Sequence, residues 1–417
     1  MLLSVLISRA GIARSVGLFA LVVTAVAVSL SLAPSAQART AGFVDVPSSH
    51  AYHVQIETMA QLGVLEGYND GTFRPDDPVT RQQFAKMAVE AMRIAVSEAD
   101  VCSFIDVQRS GADSLYPDNY VAAAQREKLV IGYVGAKGPI FKPTAPITLA
   151  QVITIATRGA LSPLVVPPAS YKSAWGVFDP SHGVVARVAQ YNGLLRDLAP
   201  AGTRIGSMSP WAKATRGQAA AVLFNVMGTD PAGMNGRFLG DSTDLVDMFR
   251  ARGKGDGRFT VSLTTLAKLY VTYGERFGIR ADMAWAQMIH ETGYGQFGGD
   301  VMPEQNNMAG IGAIGGGVPG HSFATAELGV IAQYVHLAWY LYPKHMSDPY
   351  CVMVQQPVDG PITTPGDPRH FGQPDGSVHR GNVRTVFDLS GKWAPGSEYG
   401  SKIQGYAAAI VRSVGLW

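Results

Sequence analysis

The chain has 417 residues, enough for two or three domains with cores of their own. Only 16% of residues are charged and the formal net charge is +2, so no global field points to nucleic acid. Forty-seven glycines and 25 prolines suit a loop-rich extracellular protein, and two cysteines, Cys102 and Cys351, are too few for a disulfide framework or a zinc knuckle. Whether those two pair across the halves of the chain stays open.

Residues 1–38 read as a secretory signal peptide. Arg9 and Arg14 form a basic n-region, an apolar run follows from Val16 to Ala33, and Ala36-Gln37-Ala38 is a small-x-small cleavage site. An uncleaved anchor is the alternative for a run of this length, and the cleavage signature favours export. No later segment is long and apolar enough to span a bilayer, so no integral span is expected after cleavage.

One pattern then occurs three times, at about 43–95, 102–160 and 170–228. The first copy runs Phe43-Val44-Asp45-Val46-Pro47, an amphipathic stretch ending Leu62-Gly63-Val64-Leu65, a turn-rich Gly67-Tyr68-Asn69-Asp70-Gly71-Thr72-Phe73-Arg74-Pro75, then Val79-Thr80-Arg81-Gln82-Gln83-Phe84. The second shows Phe104-Ile105-Asp106-Val107, Leu129-Val130-Ile131-Gly132-Tyr133, Phe141-Lys142-Pro143 and Ile147-Thr148-Leu149-Ala150-Gln151. The third shows Phe178-Asp179-Pro180, Gly193-Leu194-Leu195 and Ala214-Thr215-Arg216-Gly217-Gln218, with no recognisable counterpart of the Gly71–Pro75 loop. In each copy a Thr precedes a Gln by three residues ahead of an apolar-periodic run, the signature of a capping box. Each copy therefore predicts helix, ordered loop and capped helix. One such pair cannot bury its apolar face alone, so the copies are expected to pack around a pseudo-threefold axis.

These motifs resemble S-layer homology (SLH) repeats, with their F-x-D, G-x-x-x-G, DG-x-F-x-P and I-T-R signature. The resemblance implies a helical bundle that anchors an exported protein by binding an anionic secondary cell-wall polymer through the Thr-Arg pair. Thr80, Arg81, Thr215 and Arg216 carry that pair here. The second copy has Leu149 at the Arg position, and leucine offers no fork of donors to a carboxylate, so a weak or absent site is expected there.

Residues 229–261 are rich in Gly and Asp with little periodicity and read as a mobile connector, with a short ordered piece around Leu245–Phe249. Ser262 to Phe277 predicts an amphipathic helix with Leu266, Leu269, Tyr270 and Tyr273 on one face, stopped by Gly278. A second helix follows, with Ala284, Trp285, Met288 and Ile289 at helical spacing and Glu291 at its end before Gly293-Tyr294-Gly295. A carboxyl group at a helix C-terminus meets the negative end of the dipole, and apolar neighbours raise its pKa further. Glycosidic cleavage needs such a retained proton for the leaving oxygen. The plain alternative is a solvated Glu before a glycine C-cap.

Two apparent motifs fail. Gly310-Ile311-Gly312-Ala313-Ile314-Gly315 matches G-x-G-x-x-G, but no apolar strand precedes it and Gly316-Gly317-Val318-Pro319 cannot open a helix. His290-Glu291 begins H-E-x-x-H, yet position 294 is Tyr, so a second zinc ligand is missing. No metal or other cofactor is expected.

Residues 262–417 resemble endo-β-N-acetylglucosaminidases of the autolysin type. The resemblance rests on Gln287-x-x-x-Glu291-Thr292-Gly293-x-Gly295, Asn306-Asn307…Gly310-Ile311, Phe323…Gly329-Val330…His336-Leu337, Asp367-Pro368-Arg369, and Gly391-Lys392-Trp393-Ala394 with Tyr399-Gly400. It implies a lysozyme-like, α-with-small-β catalytic domain acting on peptidoglycan glycan strands, and it assigns Glu291 as the general acid. The expected fold class is thus mainly α: a three-repeat helical bundle followed by that domain. Tyr294, Phe323, Trp393 and Tyr399 are candidates to stack on sugar faces and Asn307 to hold an acetamido group, against the reading that the aromatics are core. Asp367 and Arg369 read as an ion pair bracing their loop, and His336 as a core histidine. The second catalytic group is open among Asp300, Glu304, Glu327, Asp367 and the substrate's own N-acetyl oxygen. A lytic transglycosylase, or a wall-binding protein with a degenerate hydrolase domain, are the competing readings.

Overall fold

The computed structural model describes residues 42–342 and 381–413, apart from 112, 177, 252–254 and 314. The proposed signal peptide, Cys351, Asp367 and Arg369 lie outside these residues. The described chain is mainly helical. Its first half holds α1 (His53–Gln61), α2 (Arg81–Ala91), α3 (Asp118–Arg126), α4 (Leu149–Arg158), α5 (Gly183–Tyr191) and α6 (Arg216–Met227). A two-stranded antiparallel ribbon, β1 (Tyr133–Gly135) and β2 (Gly138–Ile140), lies between α3 and α4 with Val134 opposite Pro139.

The capping boxes form as the sequence pattern predicts. Thr80, Thr148 and Thr215 each accept the backbone N–H of the Gln three residues on, and each Gln side chain returns to the Thr amide. Just before these caps the backbone closes a ring. Val79 N–H donates to the Ala214 carbonyl (3.0 Å), Ala214 to Ile147 (2.9 Å), and Ile147 back to Val79 (3.0 Å). Val79, Ile147 and Ala214 are all fully buried, so the ring sits on the axis about which the three helix pairs pack. Their apolar faces form one core from Phe43 to Met227.

The Asp of the repeated F-x-D segment clamps the turn-rich loop in two copies. Asp45 accepts the N–H groups of Phe73 (2.8 Å) and Arg74 (2.7 Å), and Asp106 those of Phe141 (2.7 Å) and Lys142 (2.8 Å). Arg74 and Lys142 both take left-handed backbone angles there (φ 60 and 58), which ties the two loops to one geometry. Asp179 does otherwise: it accepts Ser181 and His182 N–H at the start of α5.

The second half contains α7 (Ser242–Ala251), α8 (Leu263–Phe277), α9 (Ala281–Thr292), α10 (Ala326–Leu341) and α11 (Tyr399–Ser413). Ser262 caps α8 and Gly278 ends it in the left-handed conformation (φ 64). A second core runs from Met234 to Ile410. Among the described residues no helix is long and apolar enough to cross a membrane.

Residues 229–261 are not a free connector. Met234 donates to the Arg384 carbonyl and Arg280 donates to the Met234 carbonyl (3.2 and 2.9 Å), so the segment is laced on both sides. Met234, Phe238, Leu245 and Phe249 are buried in the second core. Its first part is extended and held by backbone pairing, without a helical period, whereas Leu245 and Phe249 lie on α7, where the sequence suggested a short ordered piece. Arg237 then joins the halves: Nη1 bonds Glu275 of α8 (2.7 Å), Nη2 bonds Asp197, and Nε donates to Asn225 of α6 (3.0 Å).

Candidate active site

Helix α9 is the central helix of the second half. Met283, Ala284, Trp285, Ala286, Gln287, Met288 and Ile289 all have no exposed surface. It is therefore buried on every side rather than amphipathic. Gly293 caps it in the left-handed region (φ 56), and Glu291 projects from its last turn. Helices α8 and α11 pack against α9, and α11 brings Tyr399 to the carboxyl group: Tyr399 Oη donates to Glu291 Oε1. The Trp393 side chain is a second hydrogen-bond partner. The other oxygen, Oε2, faces Gly310, where an added Cβ would lie 3.1 Å from it.

Burial pushes the Glu291 carboxyl up from its ordinary 4.5 to about 7, against the opposing pull of the Tyr399 and Trp393 hydrogen bonds. Burial, rather than the helix terminus, is the main cause. No neighbouring carboxylate among the described residues contributes to that shift. The outcome is an acid that keeps its proton near neutral pH.

Behind Tyr399 a buried polar chain continues through three helices. Gln287 Nε2 donates to Tyr399 Oη (3.0 Å), Gln333 Nε2 to Gln287 Oε1 (2.8 Å), and Tyr270 Oη to Gln333 Oε1 (2.5 Å). Gln333 had no sequence signal, because a single polar residue in the apolar stretch of α10 carries no period.

Several candidates take other roles. Asn307 is a brace and not an open ligand: its Nδ2 donates to the carbonyls of Ile311 (2.9 Å) and His321 (3.0 Å), and its Oδ1 accepts Ile311 N–H (2.9 Å). Tyr294 is core, 7% exposed and packed on the rings of Phe249 and Tyr406. Phe323 is core also, in a small cluster with Ala309, Ile311 and Ala332. Tyr399 is buried and serves Glu291 through its hydroxyl, not as a stacking face. Trp393 is the half-buried aromatic at the carboxyl group, backed by the His336 ring at 4.5 Å between centroids. Asp300 accepts Gly317 N–H (3.1 Å), Glu327 accepts the Tyr273 hydroxyl (2.6 Å), and Glu304 lies in a short 3-10 turn, Pro303–Gln305.

In the first half, the Thr80 and Thr215 hydroxyls are engaged as caps. Arg81 and Arg216 each reach into the loop of another helix pair. Arg81 Nε donates to the Phe141 carbonyl (2.7 Å), with its guanidinium over the Phe141 and Tyr133 rings (4.5 and 5.0 Å). Arg216 Nε donates to the Phe73 carbonyl (2.8 Å), over the Phe73 and Tyr68 rings (4.4 and 5.1 Å). Both are buried, and neither has an ion-pair partner among the described residues. Burial lowers both guanidinium pKa values.

The third junction shows which loop the sequence pattern concealed. Gln82 N–H donates to Pro143 and Gly217 to Pro75; the equivalent bond runs from Ala150 to Pro210. Gly206-Ser207-Met208-Ser209-Pro210 is thus the third loop, with Met208 in the place of Phe73 and Phe141. Leu149 stands where the other junctions have arginine.

Comparison with known families gives two matches. The S-layer homology domain model matches residues 42–85, and the mannosyl-glycoprotein endo-beta-N-acetylglucosaminidase model matches residues 267–409. An uncharacterized protein of Borreliella burgdorferi is 33% identical over 142 residues, 34% of this chain and 60% of that protein. A cellulosome-anchoring protein of Acetivibrio thermocellus is 23% identical over 151 residues, 34% of this chain and 32% of that protein. The chain carries an S-layer homology domain followed by a glucosaminidase domain.

Proposed function

We propose that the protein is an exported, cell-wall-anchored peptidoglycan hydrolase that cuts the β-1,4 bond after N-acetylglucosamine, with Glu291 as general acid. The carrying observation is the buried Glu291 carboxyl, protonated to about pH 7, with Oε1 held by Tyr399 and Oε2 beside Gly310. Oε2 gives its proton to the departing glycosidic oxygen as the C1–O bond breaks. The substrate's N-acetyl oxygen attacks C1 from the other face, and a water deprotonated by the Glu291 carboxylate then opens that intermediate.

The three helix pairs are read as three SLH repeats that hold the enzyme to an anionic wall polymer. Two buried guanidiniums that make no ion pair among the described residues support this, because an anion placed there offsets the cost of their desolvation. The third junction, with Leu149 and Met208, lacks the cation. A relative named for anchoring is in keeping with a surface-held protein. Tethering raises local substrate concentration and confines cutting to the wall.

Purified sacculi digested with the parent protein are expected to yield new N-acetylglucosamine reducing ends by mass spectrometry, and Glu291→Gln none. Anhydro-muramyl ends would replace hydrolysis by lytic transglycosylation. Equal digestion by both proteins would remove Glu291 from the mechanism, and no digestion by either would leave only the wall tether.

A further inference from the structure

We propose that Gln287 and Gln333 are positioning residues for the acid, forming with Tyr270 a one-way hydrogen-bond chain that ends, through Tyr399, on Glu291 Oε1 and keeps the transferable proton on Oε2. The proposal rests on the reading of Glu291 as the general acid.

The direction of the chain follows from one backbone group. The Ala284 carbonyl can only accept, and it takes a hydrogen from Gln333 Nε2 at 2.9 Å. That fixes the Gln333 amide, so its second Nε2 hydrogen goes to Gln287 Oε1 and its own Oε1 accepts from Tyr270. With Gln287 Oε1 so engaged, its Nε2 must point at Tyr399 Oη. Tyr399, already accepting, turns its hydrogen to Glu291 Oε1. Every donor arrow runs the same way, which strengthens each bond in turn. Tyr270, Gln287 and Gln333 have no exposed surface and Tyr399 is 5% exposed. Two fully buried amides are a costly way to fill a helical core that apolar side chains would fill as well. Here they set an orientation. A general acid whose Oε1 is held as acceptor carries its proton on Oε2, the oxygen that lies beside Gly310.

The test uses the full chain with Gln287→Met and Gln287→Glu on soluble, peptide-free glycan strands, following kcat, KM and the pH profile. Gln287→Met is expected to lower kcat about tenfold, part of what a positioned acid supplies, with KM unchanged. Its alkaline limb should move upward, because Tyr399 becomes a weaker donor. Gln287→Glu, while protonated, can accept from Gln333 and donate to Tyr399, so it should approach parental turnover at acid pH. Once ionised it draws the Tyr399 hydrogen to itself and adds a like charge, both of which raise the Glu291 pKa, so its alkaline limb should move upward as well. Parental kcat and profile in a folded Gln287→Met variant, or a Gln287→Glu variant that recovers no turnover at acid pH, overturn the relay. Should circular dichroism show Gln287→Met unfolded at the assay temperature, the Gln287→Glu profile decides alone. If Glu291→Gln is inactive while the Gln287 variants are parental, only the relay fails; if Glu291→Gln turns over normally, the acid assignment fails and the relay with it.

Discussion

Tyr399 donates to Glu291 across 108 residues of sequence, from the first turn of α11 to the last turn of α9. The bond stabilises the ionised carboxyl and so opposes the effect of burial. Removing it with Tyr399→Phe should raise the Glu291 pKa above about 7. A general acid works only while protonated, so the alkaline limb of kcat/KM should move to higher pH. Turnover at the optimum should fall, because Oε1 is no longer held. A pH–rate profile on soluble glycan strands checks both.

The same carboxyl makes folding stability depend on pH. Its folded pKa of about 7 lies above the ordinary 4.5, so the folded chain holds a proton that the unfolded chain releases between those values. Stability from this group is complete below pH 4.5 and is lost as pH rises through about 7. At one pKa unit per 1.36 kcal/mol, the loss is on the order of 3 kcal/mol at most. Glu291→Gln keeps a neutral acceptor for Tyr399 at every pH. Its melting temperature should exceed the parent's at pH 8, and the difference should vanish by pH 4.

The capped helices were legible because a capping box is a local code: Thr and Gln three residues apart suffice at Thr80, Thr148 and Thr215. Helix α8 was legible for a similar reason, in its stripe of Leu266, Tyr270 and Tyr273 between Ser262 and Gly278. The third loop was not, since Met208 replaces the aromatic that marks the others and only backbone pairing reveals it. The place of the Glu291 carboxyl at its helix end could be read, but its partners could not. Tyr399 and Gln333 reach it from other helices, and whether an aromatic such as Tyr294 is core or exposed depends on packing that no spacing records.

Arg237 predicts how the two halves melt. It is 9% exposed and bonds Asp197 and Asn225 on one side and Glu275 on the other. Both acids are half exposed (51% each), so screening reduces what the pairs contribute. Arg237→Ala leaves Asn225 Oδ1 without its donor and is expected to cost roughly 2 kcal/mol. Calorimetry should show the parent's single transition split into two in the variant, while the isolated activity on soluble strands is retained.

Retention on the wall should depend on Arg81 and Arg216 together. Each guanidinium is fixed over two aromatic rings by a carbonyl bond to Nε, and Arg216 Nη2 also donates to the Glu66 carbonyl (3.0 Å), which leaves Nη1 in both to meet an anion. Binding a carboxylate there removes the penalty of a buried, unpaired cation. The double variant Arg81→Ala, Arg216→Ala should sediment with purified sacculi far less than the parent, with each single variant between them. Leu149→Ala should bind as the parent does, because that junction has no cation to lose. Raised salt should not reproduce the double variant's loss fully, since buried pairs are screened less than exposed ones. Sacculi stripped of their acidic secondary polymer should retain parent and double variant equally poorly.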